Sequence, residues 1–513
     1  MAKNTSPSLA RGTTILMMAN TWNRVVDFLY RIYLVRLVGA EAIGAFQVVL
    51  PFYILLLILG SAGIPAAVAN LVAERRSRQD GVGIERLMRL SLLLTGLLGA
   101  AVTVLLLGTA GTLSHYLMRD DRLHLVLLAI APALLIVAVS SVYRGYFQGL
   151  QNMAPVALSQ LVEQVVNISV TLPLLAVLLP RGMEVSLAGM GVGITMGELS
   201  GLVTLMAHYR RQHRDMRSLS WRWRPAEQED VPDTADVPAV FALAWPTTLN
   251  RLLGAVSMMV SAVLIPALLM GSGLDRAAAT AHYGQLTGMA MTLVSFPTLI
   301  TFALAYNLVP AISAAHARRD REELSRLIRR ALTVTLLITL PSATILTLLP
   351  ASLTTLAFGT SAPALPLLLL AAASPFLHVE QVMTGVIQGL GKPAVALRNY
   401  AIGEGSSLVM VYFLVPRLGV TGAAAAWAAG FVVEAALDFI AAVRLLQART
   451  GILGLVIRPT LAVLPMAAVL VWLGPGPLRA ATPGDTVALG LVAAAAYLLG
   501  LAAVVPGSRD LHP

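Results

Sequence analysis

The sequence contains no cysteine, which excludes disulfide bonds, thiolate metal sites, a cysteine nucleophile and thiol redox chemistry. It is also poor in charge, because only 12% of its 513 residues are Asp, Glu, Lys or Arg, about half the fraction that is usual in soluble domains. No Gly-x-x-x-x-Gly-Lys-Ser/Thr phosphate-binding loop occurs, so a nucleotide-driven pump is not expected. Any transport must therefore draw on an ion gradient, the membrane potential or the gradient of the substrate.

What the sequence does contain is long apolar segments, and 57% of the residues are hydrophobic. Stretches of roughly 20 apolar residues recur along the chain, each closed by a charged turn or a turn with Gly or Pro. This pattern predicts an all-α, polytopic membrane protein with about fourteen transmembrane helices. The predicted spans are 13–37, 44–73, 88–110, 124–147, 157–180, 185–208, 238–269, 280–309, 331–350, 363–388, 395–416, 420–443, 452–473 and 484–505.

The spans fall into two sets of six that resemble each other. The segment 147–150 (FQGL) followed by 154–158 (APVAL) is echoed by 387–390 (IQGL) followed by 393–397 (PAVAL). Because each set has an even number of spans, both copies enter the membrane from the same side, which is a common construction of transporters. The sequence therefore predicts two pseudo-symmetric six-helix lobes around a central cavity.

The domain division follows from this repeat. Residues 1–209 form the predicted N-terminal lobe, 210–236 a polar cytoplasmic linker, and 237–447 the C-terminal lobe. Two additional transmembrane helices are predicted in 448–513.

The positive charge is distributed unequally between the two sets of loops. One set is crowded with arginines, as in 75–89, 210–224 and 318–330, whereas the opposite set has only Arg119, Arg122, Arg181, Arg276, Arg417 and Arg479. Since Lys and Arg are retained on the cytoplasmic side, both termini are expected in the cytoplasm of a bacterial cell with the protein in its plasma membrane. The net charge of +10 is thus explained by the positive loops that orient the protein in the membrane, and no nucleic-acid partner is expected.

Charged residues inside the predicted spans are the candidate site residues, because such groups line cavities or pair with one another. Arg24, Asp27 and Arg31 share one face of the first span, with Asp27 able to pair with both arginines. Arg251 occupies the matching place in the second lobe. These four predict a cationic substrate site for phosphate or carboxylate. The alternatives are a structural Arg–Asp–Arg pairing and, for Arg251, snorkelling to the interface.

Isolated acids in later spans are candidates for binding a coupling ion, either a proton or sodium. A neutral carboxyl that holds helices together is the alternative for each of them. Arg144 lies near a predicted helix end, where anchoring at the membrane interface is the favoured interpretation. The candidate acids are Glu163, Glu198, Glu404 and Glu434.

No catalytic constellation assembles in the sequence. The first outer loop is predicted to be only a few residues around Glu41, and the pair Asp120 and Asp121 is explained by a solvated turn. The chain is therefore expected not to be an enzyme, and no catalytic residue, metal site or cofactor is predicted.

Two blocks of the chain resemble a known family, the bacterial stage V sporulation protein B group. It is a branch of the multidrug, oligosaccharidyl-lipid and polysaccharide exporter superfamily, whose members include polysaccharide and lipid II flippases. The first block comprises 140–149 (SSVYRGYFQG) and 159–166 (SQLVEQVV), and the second 282–293 (HYGQLTGMAMTL) and 308–313 (LVPAIS). The similar lipid II flippases also carry arginines in their second and eighth spans, whereas 52–69 and 283–308 have none here.

The resemblance implies a flippase for an undecaprenyl-pyrophosphate-linked saccharide, such as a peptidoglycan precursor for the spore cortex or cell wall. The headgroup would move from the inner to the outer leaflet by alternating access, with the bilayer and a coupling ion as further partners. Two other functions remain open: a multidrug or cation antiporter of the same fold, and a non-transporting membrane protein of envelope synthesis.

Overall fold

The computed structural model describes residues 7–61, 63–218, 236–446 and 452–504. Every regular element in these residues is helical, as a lipid environment requires, because a helix satisfies its own backbone hydrogen bonds. The helices that precede residue 219 are α1 (Pro7–Ser61), α2 (Ile64–Ser77), α3 (Gly81–Thr112), α4 (His124–Gly149), α5 (Ala154–Leu178) and α6 (Met183–Ser218). The middle of the predicted linker, 219–235, lies outside the described residues.

The remaining helices belong to the second half of the chain. They are α7 (Asp236–Gly271), α8 (Arg276–Gly284), α9 (Met291–Val294), α10 (Thr298–Ala317), α11 (Arg321–Leu348), α12 (Pro350–Phe358), α13 (Ala364–Gly389), α14 (Pro393–Leu418), α15 (Val420–Leu446), α16 (Ile452–Leu473) and α17 (Pro483–Val504). A π-helical segment, Gln285–Ala290, joins α8 to α9.

Twelve helices in the described part of the chain are long and apolar enough to cross a membrane. Large apolar side chains remain exposed on many of them, for example Val104 at 68% and Leu499 at 72%. Exposed apolar surface of this extent needs lipid as its solvent. The all-α, multi-pass membrane architecture predicted from the sequence is thus confirmed, whereas the number of fourteen spans is not.

Two features account for the difference in number: the first and second predicted spans are counted together as Thr21–Ser77, and the thirteenth is a shorter apolar helix, Ile457–Leu473. In the predicted outer turn, two helices meet in a sharp kink at Gly39 (φ 82°, ψ 173°), two residues before Glu41. The predicted break between the first and second spans is therefore present, as a kink and not as a loop of several residues. The chain breaks again at Gly63, which is left-handed, and Pro65 sits in the first turn of α2. The predicted eighth span is interrupted by the π-helical segment and by the break between α9 and α10, but its second part, Ile300–Ala317, is one of the twelve.

The repeat is visible in the backbone. Left-handed residues recur in pairs that are each 240 positions apart: Gln79 and Arg319, Arg119 and Gly359, and Gln151 and Gly391. Two of these turns lead into the same kind of helix cap. The carboxylate of Asp80 accepts the amide of Gly83 at the start of α3, and that of Asp320 accepts the amide of Glu323 at the start of α11.

The described helices group into two compact units. The N-terminal unit comprises Met1–Tyr30 and Ala45–Val263, and the C-terminal unit comprises Arg31–Gly44 and Leu264–Pro513. This grouping cuts through α1 and α7, whereas the sequence-based division places each of them in one lobe. The lobe boundaries at 209 and 237 were drawn from the repeat and not from contacts, so they stay a prediction.

Each unit has a buried core at corresponding helices. In the N-terminal unit, side chains of α2, α3 and α4 pack around Leu87 and Phe147. In the C-terminal unit, side chains of α10, α11 and α13 pack around Ile312 and Ile387. The last two helices, α16 and α17, pack on α11, where the Tyr497 hydroxyl donates to the carbonyl of Leu337 at 2.6 Å.

The middle of α1 is part of the C-terminal unit and packs closely, backbone against backbone, on another helix of that unit. Residues Ala40 and Gly44 cross α8 so closely that a Cβ on Gly284 would overlap the carbonyl oxygen of Ala40. Arg36 adds a polar contact, because its Nε donates to the carbonyl of Ala357 at 2.7 Å at the end of α12. Small residues permit this approach of two helices, as is common inside membranes.

We expect Gly284→Ala to lower the thermal stability of the purified protein, because the added methyl group overpacks this crossing at a cost of about 1–3 kcal/mol. Thermal unfolding in detergent measures the effect. Gly108→Ala is the matched control, since a Cβ at Gly108 meets nothing within 4 Å. Equal midpoints for Gly284→Ala and the control would contradict the close crossing.

Candidate functional site

The N-terminal unit contains a buried ion-pair cluster formed by α4, α5 and α6. The Nη2 atom of Arg144 on α4 donates to Glu163 Oε2 on α5 at 2.9 Å and lies 3.5 Å from Glu198 Oε2 on α6. The three side chains are 23%, 26% and 14% exposed. Arg144 is thus not an interface anchor, and that interpretation of the sequence was wrong. Its side chain turns into the unit to neutralise carboxylate charge.

Glycines on α6 allow α5 to come close enough for this cluster to form. Gly193, Gly197 and Gly201 recur every four residues, so they share one face of the helix. A Cβ at Gly197 would lie 2.9 Å from the carbonyl oxygen of Glu163, and one at Gly201 would lie 3.2 Å from Glu163 Oε2. The spacing is the small-residue pattern that lets helix backbones approach in membranes.

Several polar atoms around this cluster are buried without a hydrogen-bond partner in the described part of the chain. They include the hydroxyl of Tyr53, which is 8% exposed and lies in the electrostatic field of Glu198, Glu163 and Arg144. They also include Arg144 Nε, Gln160 Oε1 and Glu198 Oε2. Because buried polar groups are normally hydrogen-bonded, unsatisfied donors and acceptors beside an ion-pair cluster mark a place where a ligand can bind.

The C-terminal unit holds a second buried polar cluster, on α13, α14 and α15. Asp438 is fully buried and accepts from the hydroxyl of Thr384 at 2.6 Å and from Asn399 Nδ2 at 2.8 Å. The Thr384 oxygen also lies 3.3 Å from Glu380 Oε1. Glu434, one helical turn before Asp438, is 7% exposed. Among the described residues, no Lys or Arg forms an ion pair with these three acids.

The two clusters occupy corresponding positions in the repeat. Arg144 and Thr384 are 240 residues apart, and so are Glu198 and Asp438. This is the separation of the paired left-handed residues. The helices α4, α5 and α6 therefore match α13, α14 and α15, and the clusters differ most in the basic residue, which is present in the N-terminal unit and replaced by threonine in the other.

The predicted acids are distributed between the two clusters. Glu163 and Glu198 meet at Arg144, and Glu434 belongs to the second cluster. Glu404 on α14 is half-buried and has a partner of its own. Whether any of the four binds a coupling ion stays a prediction.

The predicted cationic residues lie on two helices. Arg24 and Arg31 on α1 are exposed and Asp27 between them is half-buried, and Arg251 on α7 is exposed. The first three have interactions of their own. Arg31 belongs to the C-terminal unit and the other three to the N-terminal unit. Their assembly into one substrate site stays a prediction.

Sequence reasoning missed Tyr53, Glu380, Thr384 and Asn399. Tyr53 and Thr384 are common residues in membrane helices and carry no signal by themselves. A comparison of polar positions at the separation of the repeat would have found Thr384 opposite Arg144. Glu380 was missed because its segment was assigned as a membrane span on the basis of its apolar residues alone.

Comparisons with known proteins agree with this architecture. Residues 9–316 match the model of a family described as polysaccharide biosynthesis protein. The chain belongs to this family. The chain is similar to the stage V sporulation protein B of Bacillus subtilis, with 32% identity over 84% of this chain and 82% of the relative. It is also similar to the lipid II flippase MurJ of the same organism, with 24% identity over 85% of this chain and 82% of the relative.

Solved structures show the same fold. A structure of the lipid II flippase MurJ in an inward closed conformation superposes with a TM-score of 0.70 at 12% identity, covering 96% of this chain and 98% of that one. An inward-facing multidrug resistance transporter of the MATE family gives 0.68 at 17% identity, covering 83% of this chain and 94% of that one. The chain thus has the multi-pass membrane fold of these two transporters.

We expect Asn399→Ala to lower the stability of the folded protein by about 1–3 kcal/mol, because it leaves an oxygen of the buried Asp438 without its donor. Thermal unfolding of the purified protein measures the loss. Asn307→Ala serves as the control, since Asn307 is exposed and only donates to the carbonyl of Ala303 within its own helix. If both variants unfold alike, the second cluster does not contribute to stability.

Proposed function

We propose that this protein is a flippase that moves an undecaprenyl-pyrophosphate-linked saccharide, such as a peptidoglycan precursor of the lipid II type. The headgroup passes from the inner to the outer leaflet of the bacterial cell membrane, and no covalent bond of the substrate changes, so the protein is not an enzyme. The observation that carries the proposal is sequence similarity to stage V sporulation protein B and to MurJ over more than four fifths of the chain.

The charge of α1 supports an anionic headgroup as the substrate. Arg24, Asp27 and Arg31 lie on one helix, and two arginines against one aspartate leave a net positive charge whatever the pairing of Asp27. Planar guanidinium groups bind phosphate oxygens by paired, charge-assisted hydrogen bonds. Arg251 on α7 adds a further positive charge in the N-terminal unit. A pyrophosphate needs such partners at membrane depth, while its prenyl chain stays in lipid.

The two similar units support alternating access as the transport mechanism. Transporters built from repeats move by rocking one repeat against the other around a site between them. In this proposal both termini lie in the cytoplasm, which the arginine-rich loops favour, so that the substrate enters from the cytoplasmic leaflet. A spore-cortex role follows only from the similarity to stage V sporulation protein B.

A cation or multidrug antiporter is the second candidate, favoured by the fold that the chain shares with the MATE transporter. Buried carboxyls in both units would suit a cationic substrate. The arginines of α1 disfavour it, because a cation would have to approach a net positive helix face. A non-transporting protein of envelope synthesis is the third candidate, and only a transport assay separates it from the first.

We expect the wild-type protein in proteoliposomes to translocate fluorescent lipid II, and Arg24→Ala and Arg251→Ala to reduce the rate about tenfold or more. Each removed arginine contributes about 1.5–3 kcal/mol through hydrogen bonds to a charged group, and about 1.4 kcal/mol corresponds to a factor of ten. Arg417→Ala is the control, because it removes an exposed arginine from the last turn of α14.

The assay compares variants at equal insertion and folding, under an imposed membrane potential and under a proton gradient. Arginine variants as active as wild type would refute the cationic substrate site. If the wild type exchanged a cationic drug and moved no lipid II, the flippase function would be replaced by the antiporter. If it transported neither, the non-transporting function would remain.

A further inference from the structure

We propose that Arg144, Glu163, Glu198 and Tyr53 form a proton-binding site in the N-terminal unit, which binds one proton and supplies the coupling ion for transport. The coupling role rests on the proposed function, whereas proton binding itself does not. All four residues belong to the same unit, on α1, α4, α5 and α6.

The geometry makes the two carboxylates compete for one cation. Glu163 Oε2 and Glu198 Oε2 approach the same atom, Arg144 Nη2, at 2.9 and 3.5 Å. Two carboxylates that share a site repel each other unless a positive charge or a bound proton compensates one of them. With one arginine and two carboxylates ionised the cluster would carry a net negative charge. One bound proton makes it neutral.

The proton belongs on Glu198 when Arg144 pairs with Glu163. Glu198 is the more buried of the two acids, stands farther from the guanidinium, and its Oε2 has no hydrogen-bond partner in the described residues. The charged and titratable groups that interact electrostatically with its carboxyl are Arg144, Glu163 and the hydroxyl of Tyr53. This hydroxyl is more than nine-tenths buried and unpartnered, so it is available to a protonated carboxyl.

The matching cluster of the C-terminal unit provides a contrast within the same molecule. There, Asp438 accepts one hydrogen bond on each carboxylate oxygen, from Thr384 and from Asn399. Its polar atoms are therefore satisfied by the protein itself. Only the N-terminal cluster combines an arginine, two competing acids and unsatisfied polar atoms at the same place. This combination favours reversible binding of a ligand over a purely structural role in holding the helices together.

The experiment counts protonated carboxyls by infrared spectroscopy of the full-length protein in lipid nanodiscs at neutral pH, without lipid-linked substrate. Charge balance sets the expected results. Glu198→Gln and Glu163→Gln each leave one arginine with one carboxylate, so each loses one protonated carboxyl relative to wild type. Arg144→Gln leaves two acids without a counter-charge and gains one.

The control is Glu184→Gln, in the first turn of the same helix as Glu198, which leaves the count unchanged. If Glu198→Gln and Glu163→Gln both keep the wild-type count, the proposal is overturned. It is also overturned if sodium ions abolish the protonated band of the wild type, because a metal cation would then be the occupant. Should Arg144→Gln fail to fold, the two glutamine variants still decide the question.

Coupling is tested separately by comparing lipid II translocation with and without an imposed proton gradient. A gradient that accelerates the wild type and Glu184→Gln but not Glu198→Gln supports coupling at this site. Equal acceleration of all three overturns the coupling role. Because counting the protonated carboxyls requires no substrate, its result tests proton binding independently of the flippase function.

Discussion

The absence of water inside the bilayer is the constraint on which this structure depends. Backbone amides and carbonyls have no solvent partner there, so the described chain forms helices throughout its regular elements. Buried charged side chains also lack water as a partner, so they pair with polar groups on neighbouring helices. Arg144 finds two carboxylates, and Asp438 finds a hydroxyl and an amide. The positions of these clusters follow from where helices can approach closely, which on α6 is its glycine face.

The internal repeat explains why a polar cluster occurs in both units. The difference between Arg144 and Thr384 explains why the two clusters are not alike. A duplicated set of helices places side chains at corresponding positions within each unit, and the separation of 240 residues holds for backbone turns and for cluster residues alike. Once the two copies are separate parts of one chain, each is free to change. Position 384 is threonine where the N-terminal cluster has Arg144, so the C-terminal cluster lacks this counter-charge. Asp438 is there stabilised by neutral hydrogen bonds from Thr384 and Asn399, whereas Glu163 and Glu198 depend on one guanidinium.

The sequence predicted best what depends on hydrophobicity and least what depends on single side chains. The spans are set by runs of apolar residues, and α16 begins and ends where the sequence places it. The kink at Gly39, the break at Gly63 and the π-helical segment follow from local backbone geometry that apolar residues do not encode. Arg144 was misjudged for a related reason. Because Arg144 is close to a helix end, the sequence suggested that its side chain lies at the membrane interface. The direction of a long side chain, however, depends on which acids the neighbouring helices present.

The assignment of charge within the N-terminal unit also bears on which arginines can bind an anionic headgroup. Arg144 is already shared between two carboxylates, so a pyrophosphate would have to displace an ion pair to reach it. The predicted stripe on α1 differs, because Arg24 and Arg31 outnumber Asp27 and the three together carry a net positive charge. The proposed substrate arginines on α1 and α7 and the proposed proton-binding triad on α4, α5 and α6 thus use different side chains. Protonation of the triad would change the charge of the N-terminal unit by one. Proton and anion can in this way influence each other through electrostatics alone, without sharing a single side chain.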